Sequence, residues 1–161
     1  MSKLKVADFY YGAVLSVLFN NNIKPALIEC DLDRQVYDFT TNTGEFRLFI
    51  KYRAKRQNTK KDDYKSWLFV LTENDRNEIL GFINSGYNLI VTLVCGEEDL
   101  NDSEIAILDK DEIRTIINEL DKESITISRR KNERAYRISI GGGRENAMQI
   151  RANRFDELMG T

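Results

Sequence analysis

The chain has 161 residues, 42% of them hydrophobic and 31% charged, and a formal net charge of −2, which excludes disorder and places it far from the strongly basic dedicated DNA-binding modules. Histidine is absent, which removes Ser–His and Cys–His nucleophiles, His-based zinc catalysis and the commonest general base near neutral pH. One proline, nine glycines and no apolar run of about 18 residues leave no linker, leader or membrane span to be expected, so residues 1–161 read as a single cytosolic domain.

Val6 to Phe19 is apolar almost throughout and predicts a helix with Leu15, Leu18 and Phe19 toward the core, stopped by Asn20-Asn21-Asn22. Residues 26–30 and 35–41 read as extended, and Thr41-Asn42-Thr43-Gly44 is a hairpin turn signal. The following strand, 45–55, alternates. Phe46, Leu48, Ile50 and Tyr52 share one face, and Arg47, Phe49, Lys51, Arg53 and Lys55 share the other, which is expected to be a basic, solvent-facing surface. Residues 56–65 read as an exposed loop, and Ser66 to Leu71, apolar on both faces, as a central strand.

Capping patterns announce two more helices. Thr72 with Asp75 opens one over 73–85, with Ile79, Leu80, Phe82 and Ile83 inward and Gly86 closing it. Asp109 with Glu112 opens another over 110–121, with Ile113, Ile116, Ile117 and Leu120 inward. Residues 88–95 and 104–108 between them read as strands. The tail predicts three short strands, 124–130, 134–140 and 147–152, with Gly141-Gly142-Gly143 as the last turn. The expected fold is a single α+β domain, mostly antiparallel sheet, with an N-terminal helix and two further helices packed on it. Cys30 and Cys95 lie in apolar strand-like runs and are expected to be reduced and buried. Tyr10, Tyr11, Trp67 and Tyr87 read as core aromatics.

Charge is sorted along the chain. Residues 44–65 carry eight Lys/Arg against three Asp/Glu, residues 129–154 eight against two, and residues 96–123 three against eleven. Such sorting predicts a basic and an acidic side. The basic side would comprise Arg47, Lys51, Arg53 and Lys55 of the alternating strand, Arg56, Lys60 and Lys61 after it, and Arg129, Arg130, Lys131, Arg137 and Arg151 of the tail, with Phe49 placed to stack on a base. The alternative is that these cations are solvated and paired with the acidic middle segment.

Other chemistry finds little footing. An EF-hand loop begun at Asp99 would need Gly and Glu where Glu104 and Lys110 stand. The glycine run is followed by Arg144, not by the Lys-Ser/Thr of a phosphate loop. No cofactor is implied.

The order helix, three strands, helix, strand across residues 6–95 resembles the core of the PD-(D/E)XK nucleases. That resemblance implies two carboxylates that hold Mg²⁺ and a Lys that steadies the attacking water. Asp38 and Lys51 stand for the first and last of these; Phe49 occupies the middle position, with Glu45 and Glu29 as the nearby acids.

The reading favoured by the residues is a non-catalytic binding protein with a basic β-face for an acidic partner, either nucleic acid or an acidic protein surface. An active or degenerate metal-dependent nuclease is the alternative. A third possibility is a subunit whose acidic helix 110–121 docks on a larger assembly.

Overall fold

The computed structural model describes residues 1–57 and 63–159; Lys60 and Lys61 of the expected basic loop lie outside them. Helix α1 (Val6–Asn20) is opened by Lys5, whose backbone N–H donates to Asp8 Oδ2 at 2.8 Å. It ends in the asparagine run, where the Asn21 side chain donates back to the Val17 carbonyl and Asn22 turns the chain at φ +60°. Strands β1 (Ala26–Cys30), β2 (Gln35–Thr41) and β3 (Gly44–Arg53) follow as an antiparallel meander. Gly44 sits at φ +142°, a conformation L side chains rarely adopt.

The chain then leaves this sheet. Strand β4 (Tyr64–Val70) pairs with β7 (Ser124–Arg130), and β7 continues to β8 (Ala135–Ile138) and β9 (Met148–Arg151) in a second, antiparallel sheet. Helix α2 (Glu73–Asn84) returns the chain to the first sheet. There β5 (Leu89–Cys95) lies parallel to β3 and antiparallel to β6 (Glu104–Asp109), giving the order β1-β2-β3-β5-β6. The chain is thus mixed α+β, with two mostly antiparallel sheets. Every residue of β5 is buried, which accounts for its unbroken apolar run, the mark of a strand covered on both faces.

The first sheet is covered on both sides. On one face α1 and α4 (Arg154–Met159) bring Tyr10, Tyr11, Val14, Leu18, Phe155 and Met159 onto Leu48, Ile50 and Ile90. On the other, α2, α3 (Lys110–Arg114) and the second sheet bring Ile79, Ile113, Trp67, Phe69, Ile127 and Tyr136 onto Val36, Phe49, Val91 and Leu93. Both sheets therefore contribute to one shared core.

Several expectations are corrected. Strand β4 is an edge strand, with Trp67 and Phe69 buried and Val70 exposed, because only β7 pairs with it. Leu18 packs inward but Phe19 is exposed, since the buried stripe of α1 runs Ala7, Tyr10, Tyr11, Val14, Leu18. The third helix stops at Arg114 and continues as a π-turn over Thr115–Glu119. Cys95 is buried but Cys30, on the outermost strand, is exposed, and both are free thiols. Tyr87 is exposed rather than core. Helix α4 was not anticipated. None of the described helices is long and apolar enough to cross a membrane.

Candidate functional site

The alternation of β3 is as expected, but its basic face is not a surface. It looks toward α2 and the second sheet, so Arg47 is 7% and Lys51 8% exposed and Phe49 is fully buried in the shared core. The Arg47 guanidinium meets both oxygens of Asp38, its cross-strand neighbour, at 2.7 and 2.9 Å. It also lies 3.7 Å over the ring centre of Tyr87 and 4.7 Å over that of Phe82. Phe49 is therefore not available to stack on a base, and Arg47 is already engaged by Asp38, Phe82 and Tyr87.

The tail cations are likewise engaged or scattered. Arg137 reaches Glu133 at 3.4 Å, and Arg144 also pairs with Glu133. Arg151 reaches Glu157 at 2.7 Å and remains exposed, as does Arg130. Only Arg53, Lys55, Arg130 and Arg151 of the eight expected partner-binding residues present an exposed side chain.

Nor are the charged segments held apart. Arg129 grips Glu104 with two contacts of 2.8 Å, Lys65 lies 3.6–3.7 Å from Glu104 and Glu97, and Arg56 lies 3.7 Å from Glu97. Arg154 pairs with both Asp109 and Glu112. The acidic middle segment is thus tied to both basic ones through Glu97, Glu104, Asp109 and Glu112. Burial would push the Glu104 carboxyl up, but Arg129 and the Tyr136 hydroxyl hold it below its ordinary range. These pairs do not support the expectation of separate basic and acidic sides.

The nuclease constellation does not assemble. Asp38 is spent on Arg47, and Lys51 stands four residues further along β3, roughly 13 Å at strand rise. Phe49 offers no donor, and Glu45 is exposed at the other end of the strand. Among the described residues no three acidic or thiol side chains are grouped so as to hold a metal ion. The acidic run after β5 has a local role, since Asp99 caps a single 3₁₀ turn (Leu100–Asp102).

What the structure does build around Lys51 is a buried ionic cluster. Lys51 Nζ is 2.7 Å from Asp75 Oδ2, and Asp75 is completely buried. The other Asp75 oxygen accepts from Arg34 at 2.9 Å, and Arg34 also reaches Glu29 and Glu78. Asp75 meanwhile completes the capping box of α2 with Thr72. Burial favours its neutral form, but Lys51, the Thr72 amide and Arg34 together keep its carboxyl below the usual range. Arg34 and Glu78 gave no signal in the sequence. Asp75 was legible as a helix cap, but its ion-pair partner on β3 is 24 residues away.

Beside this cluster lies a cleft of about 420 Å³ between the end of β3 and the outer edge of β4. Lys51 and Arg53 line it with Leu32, Leu68 and Val70. Strand β2 pairs with β3 only as far as Gln35–Ile50, so Lys51 to Arg53 have β5 on one side and the cleft on the other. The Arg53 carbonyl accepts from Gly96 on the β5 side. By strand alternation the backbone N–H and C=O of Tyr52 then face the open side. On β4, the Leu71 N–H bonds toward β7 at Glu123 while the Ser66 carbonyl accepts from Gln57 on the opposite side. Leu68 and Val70 share the parity of Ser66 and present their backbone groups to the open edge.

No family model, curated protein or solved structure matches this chain.

Proposed function

We propose that this chain is a non-catalytic binding protein that takes an extended, acidic segment of a partner protein as an added strand in the cleft between β3 and β4. The observation that carries the reading is the pair of strand edges left open among the described residues, Tyr52 on one wall and Leu68 and Val70 on the other, facing a common cavity. Unpaired edges of this kind are the docking element of strand addition, in which main-chain hydrogen bonds supply affinity and side-chain pockets supply selectivity. Leu32 and Val70 are exposed apolar residues at the cleft, and they suit apolar side chains on alternate positions of the guest. Arg53 lines the same cleft with an exposed guanidinium and Lys55 follows it, which favours an acidic residue between those positions. A protein segment is favoured over nucleic acid because Arg47, Lys51, Arg129 and Arg137 are buried or paired, which leaves the exposed cations without a continuous track for a phosphate backbone.

The test is titration of ¹⁵N-labelled protein with short acidic–apolar peptides and, separately, with single- and double-stranded oligonucleotides. Peptide is expected to shift the amides of Tyr52, Leu68 and Val70. Arg53→Glu is expected to abolish those shifts, and so is Val70→Pro, which removes an N–H that β7 does not use. Oligonucleotide binding that persists in Val70→Pro, or peptides that leave these amides unmoved, would overturn the reading. Plasmid cleavage in Mg²⁺ that disappears in Lys51→Ala would replace it with catalysis.

A further inference from the structure

Arg34, in the turn between β1 and β2, is the hub of the half-buried side of this cluster. Its Nε lies 3.2 Å from Glu29 Oε1 of β1, its Nη1 2.9 Å from Asp75 Oδ1 and its Nη2 3.1 Å from Glu78 Oε2, the last two on α2. Lys51, behind Asp75, is the only other cation in the group. Three carboxylates thus share two cations, and Glu78 Oε1 is buried with no hydrogen-bond partner among the described residues. A buried acceptor with no donor is costly, and two carboxyls gathered on one guanidinium repel when both ionise. A proton on Glu78 removes both costs, because the oxygen becomes a donor to the Glu29 carboxylate and the cluster reaches neutrality.

We propose that Glu29, Arg34 and Glu78 form a proton-dependent latch that holds the β1–β2 turn onto α2, closed when Glu78 is protonated and loosened when Glu78 and Glu29 are both charged. Burial, followed by the adjoining Glu29 carboxyl, pushes the Glu78 carboxyl up to about 7 against the pull of Arg34. A group whose folded-state pKa is raised stabilises the closed form at low pH and loses that contribution as pH rises through the raised value. The latch therefore weakens on crossing neutrality from the acid side. The charged groups facing Glu78 are Glu29 from β1, Arg34 from the turn, Asp75 one helical turn earlier on α2, and Lys51 from β3 through Asp75. Asp31 and Asp33 of the same turn add negative charge near Tyr11, whose hydroxyl donates to the Leu32 carbonyl. No imidazole exists in this chain to titrate in the same window. Leu32 and Asp33 of this turn also line the cleft. Control of the cleft by the latch rests on the peptide-binding reading, but the experiment below observes the turn itself and can fail independently.

The experiment follows the side-chain carboxyl ¹³C signal of Glu78 across neutrality, assigned by its loss in Glu78→Gln. Amide hydrogen exchange of residues 31–34 is measured in parallel, comparing variants at the same pH in a Cys30→Ser background. Glu78 is expected to titrate at about 7. On the basic side of neutrality the turn amides of the parent should exchange roughly tenfold faster than those of Glu78→Gln, and on the acid side at the same rate. Glu29→Gln, which removes the like charge, should shift the Glu78 titration down and restore slow exchange at basic pH; it also serves if Glu78→Gln does not fold. Titration of Glu78 in the ordinary glutamate range, or an exchange ratio between parent and variant that does not change with pH, would overturn the latch.

Discussion

Lys51 and Asp75 are joined at 2.7 Å beneath α2, and the aspartate is the more heavily engaged of the two. Asp75 serves Lys51, Arg34 and the Thr72 amide at once, whereas Lys51 pairs with Asp75 alone among the described residues. Asp75→Ala is accordingly expected to cost about 3–5 kcal/mol, the penalty for leaving buried cations uncompensated. Lys51→Met should cost less than half of that, because Arg34 and Thr72 still satisfy the carboxylate. Urea unfolding midpoints at unchanged slope measure both; equal losses would show that Arg34 does not share the load.

A second prediction concerns the junction of the sheets at Gly96 and Trp67. The indole N–H donates to the Gly96 carbonyl at 2.9 Å. A Cβ on Gly96 would stand 2.6 Å from the Arg53 carbonyl oxygen and 2.8 Å from that of Ala54. These are backbone atoms at the end of β3, so the strand itself must move. Gly96→Ala is expected to destabilise by about 1–3 kcal/mol and Trp67→Phe by about 1 kcal/mol for the lost hydrogen bond, both read from thermal melts. Trp67 is the only tryptophan, so its emission should shift to the red in Gly96→Ala; an unchanged spectrum and melting temperature would contradict the crowding.

The third prediction is acid sensitivity. The carboxyls of Asp75 and Glu104 are held below their ordinary values by the cations and hydrogen bonds around them, which outweigh burial. For such groups the stabilisation is present above the unfolded-state pKa and is lost as pH falls through the depressed folded value. Denaturant midpoints should thus be steady near neutrality as far as these two are concerned and drop below roughly pH 4. Glu104→Gln should lower stability at neutral pH and flatten part of the acid fall. A midpoint independent of pH in the acid range would remove the basis for both groups.

Local structure was largely legible because it depends on neighbours in sequence. The bounds of β1, β2 and β7 follow from alternation and turn residues, and α2 begins where Thr72 and Asp75 cap it. The site was not legible, for a physical reason. A period of two shows that Arg47, Phe49 and Lys51 share a face, but not what covers it. Cations suggest solvent, yet Asp38 and Asp75 compensate Arg47 and Lys51 from another strand and a later helix. The same holds for the charged segments: linear order kept Glu104 and Arg129 apart, and the packing of β6 against β7 of the second sheet brings them into contact. Helix α4, six residues long, is too short for a helical period to stand out from its surroundings.

The departure of β4 from the first sheet has a consequence for synthesis. Trp67 lies opposite Ile127 in the β4–β7 register, so the partner strand emerges from the ribosome sixty residues later. Until then the nascent chain carries an aromatic-rich strand with neither edge paired, the kind of segment that chaperones shield and that aggregates when they are scarce. Closing so long a loop is slow compared with forming the β1–β2–β3 meander. Completion of the second sheet is therefore expected to be the late, rate-setting event in this chain's maturation.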